Sequence, residues 1–228
     1  MKNLLNFIFP KKENHYPDFA LEYLHCFNQS LDFSLPLNNV TFVILDTETT
    51  GLDPKKDKII SVGAVKVRNK TIDISKSLSI YSKNYTIINK DAISIHGTLP
   101  DHDIGVEDME VAKNVLAYLS NDIIVGHHIG FDVLMINNLL KSLHLPKLKN
   151  MTLDTAHLIR RVENPLNAYN LIDQNEYSLD DLSQRFDIVT KQRHTAAGDA
   201  YITALVFIKL LELLKQRGVV SLKDLLRR

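Results

Sequence analysis

Thr41-Phe42-Val43-Ile44-Leu45 is an unbroken β-branched and apolar run with no helical period, the pattern of a strand buried on both faces. From Lys58 to Arg68, and again from Thr71 to Tyr81, apolar and polar residues roughly alternate. Arg68-Asn69-Lys70 is a turn between them, which predicts an antiparallel hairpin after the first strand. Val106 to Leu119 then carries Val111, Val115, Leu116 and Leu119 at helical spacing. Asp122 to Gly126 reads as a short buried strand, followed by a helix to about Leu143 with Val133, Ile136, Leu139 and Leu140 on one face. Met151 to Asp154 is a fifth short strand, and Thr155 to Arg161 begins another helix. Ser178-Leu179-Asp180-Asp181 opens a helix with a serine cap and a carboxylate three residues on. The last long helix starts near Thr195 and stops at Lys215-Gln216-Arg217-Gly218, where glycine follows basic residues. Hairpin strands first, then alternating helices and strands, predict an α/β fold with a mixed five-stranded sheet flanked by helices.

Residues 1–39 are expected to form an N-terminal helical extension, and 40–228 the main domain. In the extension, Pro17 suits the first turn of a short helix whose Ala20, Tyr23, Leu24 and Phe27 share an apolar face. Residues 87–100 are expected to be irregular, and the polar, Asn-rich stretch 163–177 to be a surface insertion.

Composition narrows the class. The chain has 228 residues, 45% hydrophobic and 24% charged, as in ordinary globular proteins. A formal net charge of zero argues against long-range attraction to a nucleic-acid duplex, but not against an enzyme that grips a few phosphates through metal ions. The single cysteine, Cys26, excludes an intrachain disulfide and any multi-cysteine zinc site, and fits a reducing compartment. No apolar run approaches the roughly 20 residues of a membrane span. The start is too brief for a secretory signal and is cut off by Pro10-Lys11-Lys12. The expected location is cytoplasmic.

Candidate chemistry begins where the first strand breaks into Asp46-Thr47-Glu48. Residues two apart on a strand share a face, so two carboxylates stand side by side. Like charges at the end of a buried strand are costly unless something positive lies between them, and a hard divalent cation such as Mg²⁺ answers that need. A solvated acidic strand end is the plain alternative. Asp132 opens the helix after a buried strand, the usual place for a site in such sheets. Asp199 sits on the first turns of the last helix, where Ala196, Ala197 and Gly198 permit close approach to a neighbouring strand, and His194 stands at the loop-to-helix junction. Singly, the two aspartates could be acids complementing helix dipoles, and His194 a solvated loop residue.

Together and in this order, these residues resemble the DEDDh exonuclease superfamily, which includes the proofreading ε subunit of bacterial DNA polymerase III and RNase T. The resemblance covers about residues 40–215. Ile44 to Leu52 matches the first motif, Val125-Gly126-His127 with Phe131-Asp132 the second, and His194 to Asp199 the third. Ile95-His96-Gly97, Leu153-Asp154-Thr155 and Ser178 to Leu182 are secondary matches. The resemblance implies an RNase H-like fold and 3′–5′ exonuclease activity on single-stranded or frayed DNA ends, releasing 5′-mononucleotides. It implies that Asp46, Glu48, Asp132 and Asp199 hold two Mg²⁺ or Mn²⁺ ions, about 3.5–4 Å apart in such sites. His194 would be the general base, histidine being the side chain suited to proton transfer near neutral pH.

The implied substrate contacts are Thr47, Thr50, Gly51, Leu52, His96, His128 and Phe131. His128 departs from the family, which has asparagine there, and an imidazole cannot supply an amide's full donor and acceptor set. Residues on adjacent strand positions face opposite sides, so His127 and His128 are not expected to share a metal. RNA trimming, and a catalytically silent subunit associated with a polymerase, stay open as alternatives. A DNA polymerase is one implied partner. Gln29-Ser30-Leu31-Asp32-Phe33 resembles peptides that dock on a sliding clamp, although such short strings recur by chance.

Overall fold

The computed structural model describes residues 16–83, 105–163 and 177–227, and five strands in them form one sheet. These are β1 (Thr41–Thr49), β2 (Ile59–Arg68), β3 (Thr71–Tyr81), β4 (Ile123–Gly126) and β5 (Thr152–Asp154), in the order β3-β2-β1-β4-β5. The first three are antiparallel, whereas β1, β4 and β5 run parallel, so the sheet is mixed as the pattern predicted. At the hairpin tip Asn69 and Lys70 take φ of 49° and 59°. That left-handed pair matches a two-residue turn to the twist of its strands.

Alternation along β1 sorts its side chains between two cores. Phe42 and Ile44 face a layer made by α4 (Thr155–Glu163), α5 (Leu179–Arg185) and α6 (Ala196–Gln216). There Phe42 meets Phe207 edge-on, with ring centroids 5.0 Å apart. Val43 and Leu45 face the opposite layer, made by α2 (Asp108–Leu119) and α3 (Gly130–Ser142). Helix α2 starts two residues later than the apolar spacing suggests, because the backbone of Val106 is taken by Tyr81 and Lys83. Helix α6 begins at its Thr195 cap, and the chain leaves it through Gly218 at φ 82°.

Residues 16–39 lie against both layers. Helix α1 (Asp18–His25) buries Ala20 and Tyr23 in the second core. The Tyr23 hydroxyl donates to Asn150 Oδ1 at 2.7 Å and accepts from the Lys149 N–H at 2.7 Å. Further on, the carbonyls of Phe33 and Leu35 accept from Lys223 and Leu222 at the start of α7 (Leu222–Leu226). Helix α7 was not evident from periodicity, since five residues span too few turns to show one; a Ser221–Asp224 capping box sets its start. The clamp-like string is part of this fastening, with Leu31 packed on the first core and the Phe33 side chain exposed.

His96 and its motif, together with most of the 163–177 stretch, lie outside the described residues. Among the described residues no helix is long and apolar enough to cross a membrane.

Candidate active site

The carboxyl end of β1 delivers the first two acids. By strand alternation Asp46 and Glu48 continue the Phe42–Ile44 face toward α6, while Thr47 faces α3. Asp199, in the first turn of α6, comes down onto the same spot, and oxygens of Asp46, Glu48 and Asp199 lie within 4.8 Å of one another. Two glycines permit this. Gly63 of β2 stands opposite Asp46 in the sheet register, and a Cβ there would collide with the backbone of Ala196 and Ala197. A Cβ on Gly198 would likewise strike the Gln192 carbonyl. The small residues before Asp199 therefore serve the close approach to a strand that their type suggested.

The electrostatics of this trio are unfavourable without a cation. Burial, reinforced by Asp132, Asp199 and Glu48, holds the Asp46 carboxyl well above its usual range. Glu48 is pushed up to about 7, chiefly by burial and then by Asp199. Asp199 Oδ1 is buried and has no hydrogen-bond partner among the described residues. An oxygen-only donor set with an unsatisfied buried oxygen fits a hard divalent ion.

Asp132 stands outside the trio. It is buried in the first turn of α3, and its Oδ1 accepts from the Thr47 N–H at 2.9 Å and the Thr47 hydroxyl at 2.6 Å. Burial raises its pKa to about 7 against the lowering effect of those bonds. It remains near enough to Asp46 to lift that group too. Thr47, assigned to substrate by the resemblance, thus spends its hydroxyl on Asp132.

His194 is exposed on the loop before α6, at φ 61°, close enough to Glu48 for its charge to oppose the rise there. Its neighbour Arg193 is a site residue that sequence reasoning passed over. The guanidinium donates from Nε and Nη2 to Asp180 Oδ1 and Oδ2 at 2.6 and 3.1 Å, and Nη1 pairs with Asp199 Oδ2 at 2.5 Å. The available signal was an arginine abutting the third motif, with Asp180 in a secondary one.

The turn after β1 forms the rim. Asp57 accepts from the Thr50 hydroxyl at 2.8 Å and from the Asp53 N–H at 2.7 Å, and its carboxylate fills the space where a Cβ on Gly51 would lie. On this braced turn Leu52 is 84% exposed. Across the site, His127 and His128 follow the end of β4, so strand alternation does not separate them; their rings meet edge-on at 4.4 Å. His127 Nδ1 lies 2.9 Å from Thr155 Oγ1, and burial, then His128, pulls its pKa down to about 4. The His128 N–H donates to Asp154 Oδ1 at 3.1 Å while its side chain lies toward solvent. Phe131 is half-buried against the second core.

A family model for the RNase T exonuclease domain matches residues 43–207. A PolC-type DNA polymerase III of Thermotoga petrophila is 30% identical over 86% of this chain, which spans 14% of that protein. The DNA polymerase III ε subunit of Aquifex aeolicus is 31% identical over 75% of this chain and 81% of its own length. Among solved structures, E. coli exonuclease I in complex with a dT13 oligonucleotide aligns with 79% of this chain and 43% of its own, at a TM-score of 0.63 and 18% identity. That likeness shows the same mixed-sheet fold.

Proposed function

The chain belongs to the RNase T exonuclease family, and we propose that it hydrolyses the terminal phosphodiester at single-stranded or frayed DNA 3′ ends, releasing 5′-mononucleotides. The observation that carries this reading is the convergence of Asp46, Glu48 and Asp199, with a buried unpartnered oxygen on Asp199. These three, with Asp132 beside them, would hold divalent cations, Mg²⁺ or Mn²⁺, which supply positive charge to the phosphate and to the departing 3′ oxygen.

The chain's own groups do the rest. His194, exposed beside Glu48, takes the proton of the attacking water on its imidazole. Leu52 projects from a turn that Asp57 keeps from collapsing, and so offers an apolar edge to the last base. Such a contact holds an unpaired end without reading its sequence. The exposed side chain of His128 would meet the strand, its backbone N–H being the group that donates to Asp154. A single strand is also what the structurally similar exonuclease I holds. A polymerase is the protein partner that the ε-subunit relative suggests.

The test is degradation of 5′-labelled strands of matched sequence, as single-stranded DNA, frayed duplex and RNA, by purified protein with Mg²⁺. Stepwise shortening of the DNA strands from the 3′ end, abolished by Asp46→Ala in a folded variant, is the expected result. Cleavage that survives Asp46→Ala would place the activity elsewhere, and faster loss of RNA would replace the DNA substrate.

A further inference from the structure

Arg193 has no place in the mechanism above, yet its guanidinium is only 18% exposed and joins two helices at the site. Its fork is divided unequally: Nε and Nη2 grip both oxygens of Asp180 in the first turn of α5, and Nη1 alone reaches Asp199 Oδ2. Asp180 is mostly exposed and its carboxylate is held below the usual range, first by this hydrogen bonding. Asp180 is thus the anchor and Asp199 the load. On Asp199 the two oxygens differ sharply, Oδ2 being clamped and Oδ1 buried without a partner.

We propose that Arg193, anchored on Asp180, is a positioning residue for Asp199: it fixes Oδ2 and so presents Oδ1 to the ion. This rests on the metal-dependent reading above. A carboxylate on a helix can otherwise turn about its side-chain torsions, and at 10% exposure Asp199 has little water to hold it in place. Groups that orient a ligand in this way contribute about 10–100-fold to metal affinity. Only a planar, forked cation spans two carboxylates with fixed geometry; a lysine ammonium is a point charge on a flexible stem.

The opposite role, a guanidinium standing in for the ion, predicts the opposite sign. Removing Arg193 makes the site more negative, so charge alone would tighten cation binding. The experiment is calorimetric titration of the full chain with Mn²⁺, comparing wild type with Arg193→Gln and Arg193→Lys, and with Asp46→Ala as the control for the site. The expected result is Mn²⁺ binding weakened about 10–100-fold in Arg193→Gln. Arg193→Lys, which keeps the charge and loses the fork, is expected to weaken it as well, and decides the matter if the glutamine variant does not fold. Unchanged or tighter binding in these variants overturns the proposal while leaving the metal site intact. Wild type that binds no Mn²⁺, or binds it equally well with Asp46→Ala, overturns the metal-site reading and this inference with it.

Discussion

Thr47 donates both its N–H and its hydroxyl to a single oxygen of Asp132, at 2.9 and 2.6 Å. One strand therefore presents Asp46 and Glu48 on one face and, from the residue between them, steers an acid belonging to the helix layer behind the sheet. Thr47→Val removes the hydroxyl bond and leaves the shape nearly unchanged. A hydrogen bond to a charged group contributes about 1.5–3 kcal/mol. We expect a loss toward the lower end of that range in urea denaturation, with reduced nuclease activity, and Thr47→Ser restoring most of both.

The site acids give the metal-free protein an unusual pH response. Glu48 rises from 4.5 to about 7 and Asp132 from 3.8 to about 7 on folding. The folded state then binds protons that the unfolded chain has released, so this contribution to stability is present below the unfolded values and is lost as pH rises through about 7. Asp180, whose carboxyl is lowered, acts in the other direction only in more acid solution, and His127, pulled down from 6.5 to about 4, offsets part of the loss between pH 5.5 and 7. Thermal melts in chelator should show a lower Tm at pH 8 than at pH 5.5 from this source. Added Mn²⁺ should raise Tm more at pH 8 than at pH 5.5; an equal rise at both would contradict the assignment of these acids to the ion.

Gly63→Ala tests whether the seating of α6 builds the site. The added methyl would press on the backbone of Ala196 and Ala197, which a side chain's rotation cannot relieve. Overpacking of this kind costs about 1–3 kcal/mol. The shift should also carry Asp199 away from Asp46, so Mn²⁺ affinity is expected to fall together with stability. Mn²⁺ titration of the folded variant checks this.

Leu52→Ala separates substrate grip from fold. A side chain 84% exposed contributes little to stability, so the change in a urea melt should stay within about ±0.5 kcal/mol. If the last base rests on Leu52, KM for single-stranded DNA should rise roughly tenfold, in line with about 1.5–3 kcal/mol for fully burying a leucine side chain. Steady-state kinetics on a short oligonucleotide would read KM and kcat separately, with kcat the less affected.

His194→Ala should leave stability and Mn²⁺ binding close to wild type, because the side chain is exposed and is not one of the clustered acids. A general base contributes about 10²–10⁴-fold, so kcat is expected to drop by that factor. An unchanged kcat at saturating substrate would remove His194 from the reaction.

The amino-acid order alone carried the strands, the helices other than α7 and which residues of β1 share a face, because these depend on local periodicity and on caps such as Ser178 and Thr195. It also carried Asp46, Glu48, Asp132, His194 and Asp199 as candidates through residue type and order. What it did not contain was the distribution of roles among them. Only the folded chain separates Asp132 from the trio, because it arises on the opposite helix layer and reaches the strand end through Thr47. Only the fold shows that Gly63 admits α6, that Asp180 and Asp199 share Arg193, and that Phe33 and Leu35 are fastened to α7. Periodicity reports what a residue's own segment does, whereas these contacts join segments far apart in the chain. Their partners are chosen by packing, and no local pattern encodes that choice.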